Sequence, residues 1–352
     1  MRKAEKRRWQ LLRPVTLACV FGCAGRTLTA DETAFFRDVR PWGFILFGRN
    51  VDHPDQVRAL TDALRAATDR PEAPVMIDQE GGRVQRLGPP NWRRYPPARR
   101  YGAVDSDAIR RRDLARLGAR LMAHDLLALG ITVNCAPVLD VPAPEAHDVI
   151  GDRAYGSTPS EVASLGRATA EGLIAGGVLP VIKHIPGHGR AQVDSHEALS
   201  VVTASRADLD DHDLAPFRML SDMPVAMTAH VVYAAVDAKR PCTTSRTAIA
   251  ELVRGAIGFQ GLLLSDDLSM RALGGELTSR ARSALAAGCD VVLHCNGDLA
   301  EMKAVAGGAR PLAGRGAERA RAALARVPAA VEPLDVEAAV ARFEAGLAGH
   351  GA

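Results

Sequence analysis

The chain has no run of the ~18 apolar residues that a membrane-crossing helix requires, so no transmembrane span is expected. It has no strong excess of either charge. Its 44 basic and 41 acidic residues leave a formal net charge of +3, which gives no reason to expect nucleic acid or another polyanion as partner. None of its six cysteines forms a C-x-x-C pair. A disulfide framework or a zinc site is therefore not expected, and a reducing, cytoplasmic setting is. Most of the cysteines lie in or just after apolar runs, where a free thiol behaves as a small hydrophobe. There is no internal repeat. A dinucleotide-binding loop is also missing, because Gly22-Cys23-Ala24-Gly25 does not fit G-x-G-x-x-G.

What is present is an ordinary globular composition, 47% hydrophobic and 24% charged over 352 residues, enough to bury a large core. Residues 1–14 are basic, and the apolar run Val15 to Gly22 follows. That order also occurs in signal peptides. Here the run is short and β-branched, so we read residues 1–14 as a basic extension and Val15 as the start of the first strand. Eight short apolar runs follow one another: Val15–Phe21, Gly43–Phe47, Pro74–Ile77, Thr132–Cys135, Leu179–Ile182, Val225–Thr228, Leu262–Leu264 and Asp290–Leu293. Amphipathic segments separate them, opened by capping residues such as Thr29 and Thr158 and closed by Gly130, Gly176-Gly177, Gly258 and Gly288. Strands apolar on both faces, alternating with helices, predict an α/β fold: a single (β/α)8 TIM-type barrel over residues 15–352, with extra C-terminal helices from about residue 307.

Barrels of this type carry their chemistry at the C-terminal ends of the strands. Polar residues gather there. Strand three ends in Asp78-Gln79-Glu80-Gly81-Gly82-Arg83, and strand four is followed by Asn134 and Asp140. Strand five ends in Lys183-His184, strand six in His230, strand seven in Ser265-Asp266-Asp267, and strand eight in His294 and Asn296. Charges at so many ends of one rim point to a site. The Gly- and Pro-rich stretch after strand five leads to Asp194-Ser195-His196, in which Asp194 can bond the His196 ring and stabilise its imidazolium form.

Three of these stretches carry a family resemblance. Lys183-His184-x-Pro186-Gly187-His188-Gly189-x4-Asp194-Ser195-His196, the segment from Asp78 to Arg86, and Ser265 to Met270 resemble family 3 glycoside hydrolases, in particular compact bacterial β-N-acetylhexosaminidases of peptidoglycan recycling. The resemblance runs from about Val15 to about Ala306 and takes in Gly43 to Asn50 and Ile150 to Gly156. It implies that Asp266 is the nucleophile of a retaining reaction, with His196 as general acid/base and Asp194 as its partner. It further implies that Asp78, Arg86, Arg153, Lys183 and His184 surround the terminal sugar, where carboxylates accept from hydroxyls and cations donate. Asp267 is the rival for the nucleophile's place. Successive strand residues face opposite ways, so one of the two faces the substrate. The implied substrate is N-acetylglucosamine β-1,4-linked to 1,6-anhydro-N-acetylmuramic acid, free or carrying peptide. A monomer without cofactor, metal, nucleic-acid or membrane partner is expected. His188 is expected to shape the loop and Glu80 to serve its own loop, while the role of His230 at the rim is open. The rival readings are a phosphorylase, a metal hydrolase using His184, His188, Asp194 and His196, and an inactive binding barrel.

Overall fold

The computed structural model describes residues 15–143, 148–193, 198–328 and 330–348. Eight parallel strands close a barrel: β1 (Leu17–Phe21), β2 (Pro41–Leu46), β3 (Val75–Ile77), β4 (Val133–Asn134), β5 (Leu179–Ile185), β6 (Val225–Thr228), β7 (Leu262–Asp267) and β8 (Val291–His294). β8 pairs with β1 to complete the ring, Cys19 beside Val292 and Phe21 beside His294. Each strand falls within or next to its predicted run. β5 and β7 reach further toward the mouth than their apolar stretches, because polar residues there continue the ladder.

Alternation along the strands produces two cores. Val20, Ile45, Met76, Val133, Leu179, Val181, Val225, Met227, Leu262, Leu264, Val291 and Leu293 point inward and fill the barrel. Their neighbours, such as Cys19, Phe44, Val75, Ile182, Leu263 and Val292, point outward and pack under the helices. The helix Gly314–Leu324 places Ala320 and Ala323 against the inner cluster. The helix Val336–Ala348 packs Phe343 beside Tyr95 and Tyr101, so the predicted C-terminal helices are present.

The helix Ala30–Val39 starts at a capping box, in which Glu32 N–H donates to the Thr29 hydroxyl and Thr29 N–H to the Glu32 carboxylate. Two of the amphipathic segments between strands, before β6 and before β7, contain wide, π-type turns at Leu209–Asp213 and Ile249–Ala256. Apolar periodicity marks a buried face but does not distinguish this winding from an α-helix. Among the described residues no helix is long and apolar enough to cross a membrane.

Candidate active site

The inward parity of the barrel core continues into its mouth. Met76 is followed by Asp78, Leu179 and Val181 by Lys183, Leu262 and Leu264 by Asp266, and Leu293 by Cys295. All four of the residues so reached line a cavity of about 160 Å³. Glu80, Arg86, Arg153, His184, His188 and Asp267 complete its polar lining, while Phe47, Met227 and Met270 are apolar.

One wall is a closed ionic network. Lys183 Nζ donates to Asp78 Oδ1 at 2.8 Å and contacts Glu80 Oε1 at 2.7 Å. Arg153 grips both Glu80 oxygens, Nε to Oε2 and Nη2 to Oε1, each at 2.8 Å. Arg86 Nη2 reaches Asp78 Oδ2 at 3.3 Å. The side chains of Lys183 and Glu80 are only 3% and 6% exposed, so each charge depends on its partners rather than on water. Burial alone would raise the Asp78 and Glu80 pKa values. The neighbouring Lys183, with Arg86 and Arg153, outweighs it and holds both below the ordinary carboxylate range. Burial likewise opposes the charge on Lys183, yet Asp78 and Glu80 raise its pKa.

The loops are built to hold this wall. Buried Gln79 accepts the N–H groups of Arg86 and Leu87 at 2.9 and 3.0 Å and donates to the Leu87 carbonyl at 2.8 Å, which fixes the return strand carrying Arg86. Gly81, at φ +102°, lies where a Cβ would strike the Pro96 carbonyl oxygen. Asp140, fully buried after β4, bonds His184 Nδ1 at 2.6 Å and accepts the His188 N–H at 2.7 Å. As a carboxylate it only accepts, so His184 Nδ1 carries the proton. At Gly189 a Cβ would run into the Val141 carbonyl oxygen, so the stretch after β5 passes tightly against the exit of β4.

The opposite wall is β7. Asp266 Oδ1 accepts the Asp267 N–H at 2.8 Å, and Oδ2 has no hydrogen-bond partner among the described residues. Asp267 is bonded throughout: its Oδ1 accepts from Ser269 N–H at 3.0 Å and Cys295 N–H at 3.2 Å, and its Oδ2 from the Ser269 hydroxyl at 2.6 Å. Burial pushes the Asp266 pKa up, but His230, His184, the Asp267 N–H and Lys183 bring it below the ordinary value, so it is a carboxylate at neutral pH.

The geometry matches a known family. The model for the glycosyl hydrolase family 3 N-terminal domain covers residues 25–328. The chain belongs to glycosyl hydrolase family 3. A beta-hexosaminidase from Alkalilimnicola ehrlichii is 42% identical over 281 residues, 79% of this chain and 80% of that protein. Among solved structures, a family 3 beta-N-acetylglucosaminidase from Paenibacillus superposes with a TM-score of 0.83 at 32% identity, covering 94% of this chain and 67% of that one. NagZ from Neisseria gonorrhoeae in complex with N-trifluoroacetyl-D-glucosamine superposes at 0.81 and 33% identity, covering 95% and 96%. The protein is thus a glycoside hydrolase.

In this family 3 enzyme, Asp78, Arg86, Arg153, Lys183, His184 and Asp266 meet around one cavity. Asp194 and His196 lie outside the described residues. Four other expectations are revised. Glu80, read as a loop residue, is the centre of the ionic wall, since a carboxylate between two buried cations cannot be peripheral. His230 stands at the C-terminal end of the barrel, as expected, but is covered there. It is fully buried, with Nε2–H donating to the Asp267 carbonyl at 2.9 Å and Nδ1 beside the Thr243 hydroxyl at 2.7 Å. Burial lowers its pKa. His294 is also fully buried, on the outward parity of β8, and bonds Glu301 at 2.9 Å. His188 lines the cavity rather than only shaping its loop, and burial with neighbouring His184 lowers its pKa to about 4. Among the described residues no group of three or more His, Cys, Asp and Glu side chains is arranged to hold a metal ion.

Proposed function

We propose that this family 3 enzyme hydrolyses terminal, non-reducing β-linked N-acetylglucosamine with retention of configuration, through a covalent glycosyl-enzyme on Asp266. The observation that carries the reading is the Asp266 carboxylate, which enters the cavity with one oxygen uncommitted while the other acids around it are bound. An Asp266 oxygen attacks the anomeric carbon as the glycosidic C–O bond breaks. The leaving oxygen takes a proton from His196. Water then attacks the same carbon, returns a proton to His196 and releases Asp266.

The acid is assigned to His196, partnered by Asp194, by the resemblance of the Asp194-Ser195-His196 motif. Asp78 and Glu80 are held deprotonated by their cations, and burial keeps His188 neutral at pH 7. None of these can protonate a leaving group near neutrality. Asp78, Arg86, Arg153, Lys183 and His184 orient the sugar ring. The N-acetylglucosamine class is supported by the beta-hexosaminidase relatives and by the solved relative that holds N-trifluoroacetyl-D-glucosamine. For the aglycone we propose 1,6-anhydro-N-acetylmuramic acid, with or without peptide, acted on in the cytoplasm by a monomer during cell-wall recycling.

The test is 4-nitrophenol release from its β-N-acetylglucosaminide by wild type and Asp266→Ala, with products analysed with and without phosphate. Turnover by wild type, N-acetylglucosamine as product in both buffers and near-total loss in the variant are expected. No turnover by folded wild type sinks the sugar assignment, and a sugar phosphate as product replaces hydrolysis by phosphorolysis.

A further inference from the structure

The ladder between β6 and β7 runs only as far as Met227 beside Leu264. Beyond it β7 continues along β8, with a register shift between Leu264 and Asp267. On the β6 side the Asp267 carbonyl therefore has no main-chain donor, and its other lone pair takes the Met270 N–H at 3.2 Å. A side chain fills the gap. His230, two residues past β6, donates Nε2–H to that carbonyl at 2.9 Å.

The histidine is itself held from behind. A carbonyl only accepts, so Nε2 carries the ring proton, and burial, which lowers the His230 pKa, keeps the ring neutral at pH 7. Nδ1 is then an acceptor. The Thr243 hydroxyl donates to it at 2.7 Å and in turn accepts from the Thr228 hydroxyl at 2.7 Å. Thr228, His230 and Thr243 are all 0% exposed, so water does not compete for these bonds.

This relay ends one residue from the nucleophile. The Asp267 N–H, at 2.8 Å from Oδ1, is the one hydrogen-bond donor to the Asp266 carboxylate among the described residues. Asp267 is pinned through its side chain by Ser269 and Cys295 and through its carbonyl by His230. His230 does not line the sugar cavity, and the reaction as written above gives it no task.

We propose that His230 is a positioning residue for attack by Asp266: it holds residue 267 where the strand ladder has ended, and the N–H of that residue aims the nucleophilic carboxylate. Thr243 and Thr228 serve by fixing the ring's tautomer. The assignment rests on the reading of Asp266 as nucleophile.

The experiment measures kcat and KM on 4-nitrophenyl β-N-acetylglucosaminide and competitive inhibition by N-acetylglucosamine, with melting curves, for wild type, His230→Leu and His230→Gln. Leucine fills the space without a donor, whereas the glutamine amide can replace Nε2–H. His230→Leu is expected to lower kcat by about 100-fold, the scale of a misplaced reacting group, while the inhibition constant stays within about 2-fold. His230→Gln should recover kcat to within about 10-fold of wild type. Should His230→Leu not fold, Thr243→Val against Thr243→Ser decides, with about a 10-fold loss of kcat expected in valine alone. Wild-type kcat in His230→Leu, glutamine no better than leucine, or inhibition weakened in step with kcat overturns the positioning role. Absence of wild-type turnover, or full activity in Asp266→Ala, overturns the underlying reading instead.

Discussion

The two walls of the sugar cavity solve opposite problems. On the β3–β5 side, Asp78 and Glu80 face Lys183, Arg86 and Arg153, and nearly every charge is paired before a substrate arrives. On the β7 side, Asp266 keeps an oxygen uncommitted. Groups that orient a sugar gain from being fixed in advance, because the cost of arranging them is met during folding. A nucleophile must instead remain available, at the expense of stability. One wall therefore belongs to the fold as much as to the site, and the other belongs to the chemistry.

Substitutions can break that contrast. Asp266→Ala should lower kcat by on the order of 10⁴-fold or more, measured with the aryl glycoside, since nothing else in the cavity replaces a covalent nucleophile. In the same assay Asp267→Asn should cost far less, about 10- to 100-fold, because Asp267 only braces the loop through Ser269 and Cys295. Activity retained in Asp266→Ala, or Asp267→Asn as damaging as it, would reverse the two roles.

Stability should divide the walls the other way. Lys183→Met leaves Asp78 and Glu80 facing each other without their shared cation, and should cost about 3–5 kcal/mol in denaturant unfolding. Asp266→Asn removes a buried charge held by one backbone N–H and by the more distant His230, His184 and Lys183, and should cost much less than Lys183→Met. A tolerant Lys183 would mean that the ionic wall is not part of the fold.

The smallest expected effect is a pH dependence. Unfolded His188 takes a proton near pH ~6.5, whereas the folded residue resists until about pH 4. The unfolded chain thus binds more protons between those values, and stability falls as pH falls through that window, by up to roughly 3 kcal/mol. The depressed Asp78, Glu80 and Asp140 add losses at lower pH, below the ordinary carboxylate range. His188→Gln should flatten the pH 4 to 6.5 limb alone. An unchanged limb would place the proton uptake elsewhere.

Much of this was legible in the chain. Eight apolar runs gave the eight strands, and the polar residues beyond them gave the rim. Parity alone does not separate Asp266 from Asp267, because the β7 register shifts between Leu264 and Asp267 and both line the cavity; their hydrogen bonds do. On β8, parity would have marked His294, next to inward Leu293, as facing out. Glu80 was harder. It lies past the end of β3 on a short hairpin, where alternation from the barrel gives no guide, and its importance comes from Arg153 and Lys183, which are distant in sequence. Asp140 was seen at the rim, but its hold on His184 depends on how the β4 exit meets the stretch after β5.

The closure of the barrel has a consequence for the making of the protein. β1 finds its second neighbour only in β8, and residues 310–312, beyond β8, run beside its first residues, with Leu17 bridged to Pro311 and Leu312 N–H donating to the Thr16 carbonyl. A ribosome must therefore deliver nearly the whole chain before its first strand is flanked on both sides. Until then β1 has an open edge, the kind of surface on which nascent-chain chaperones act.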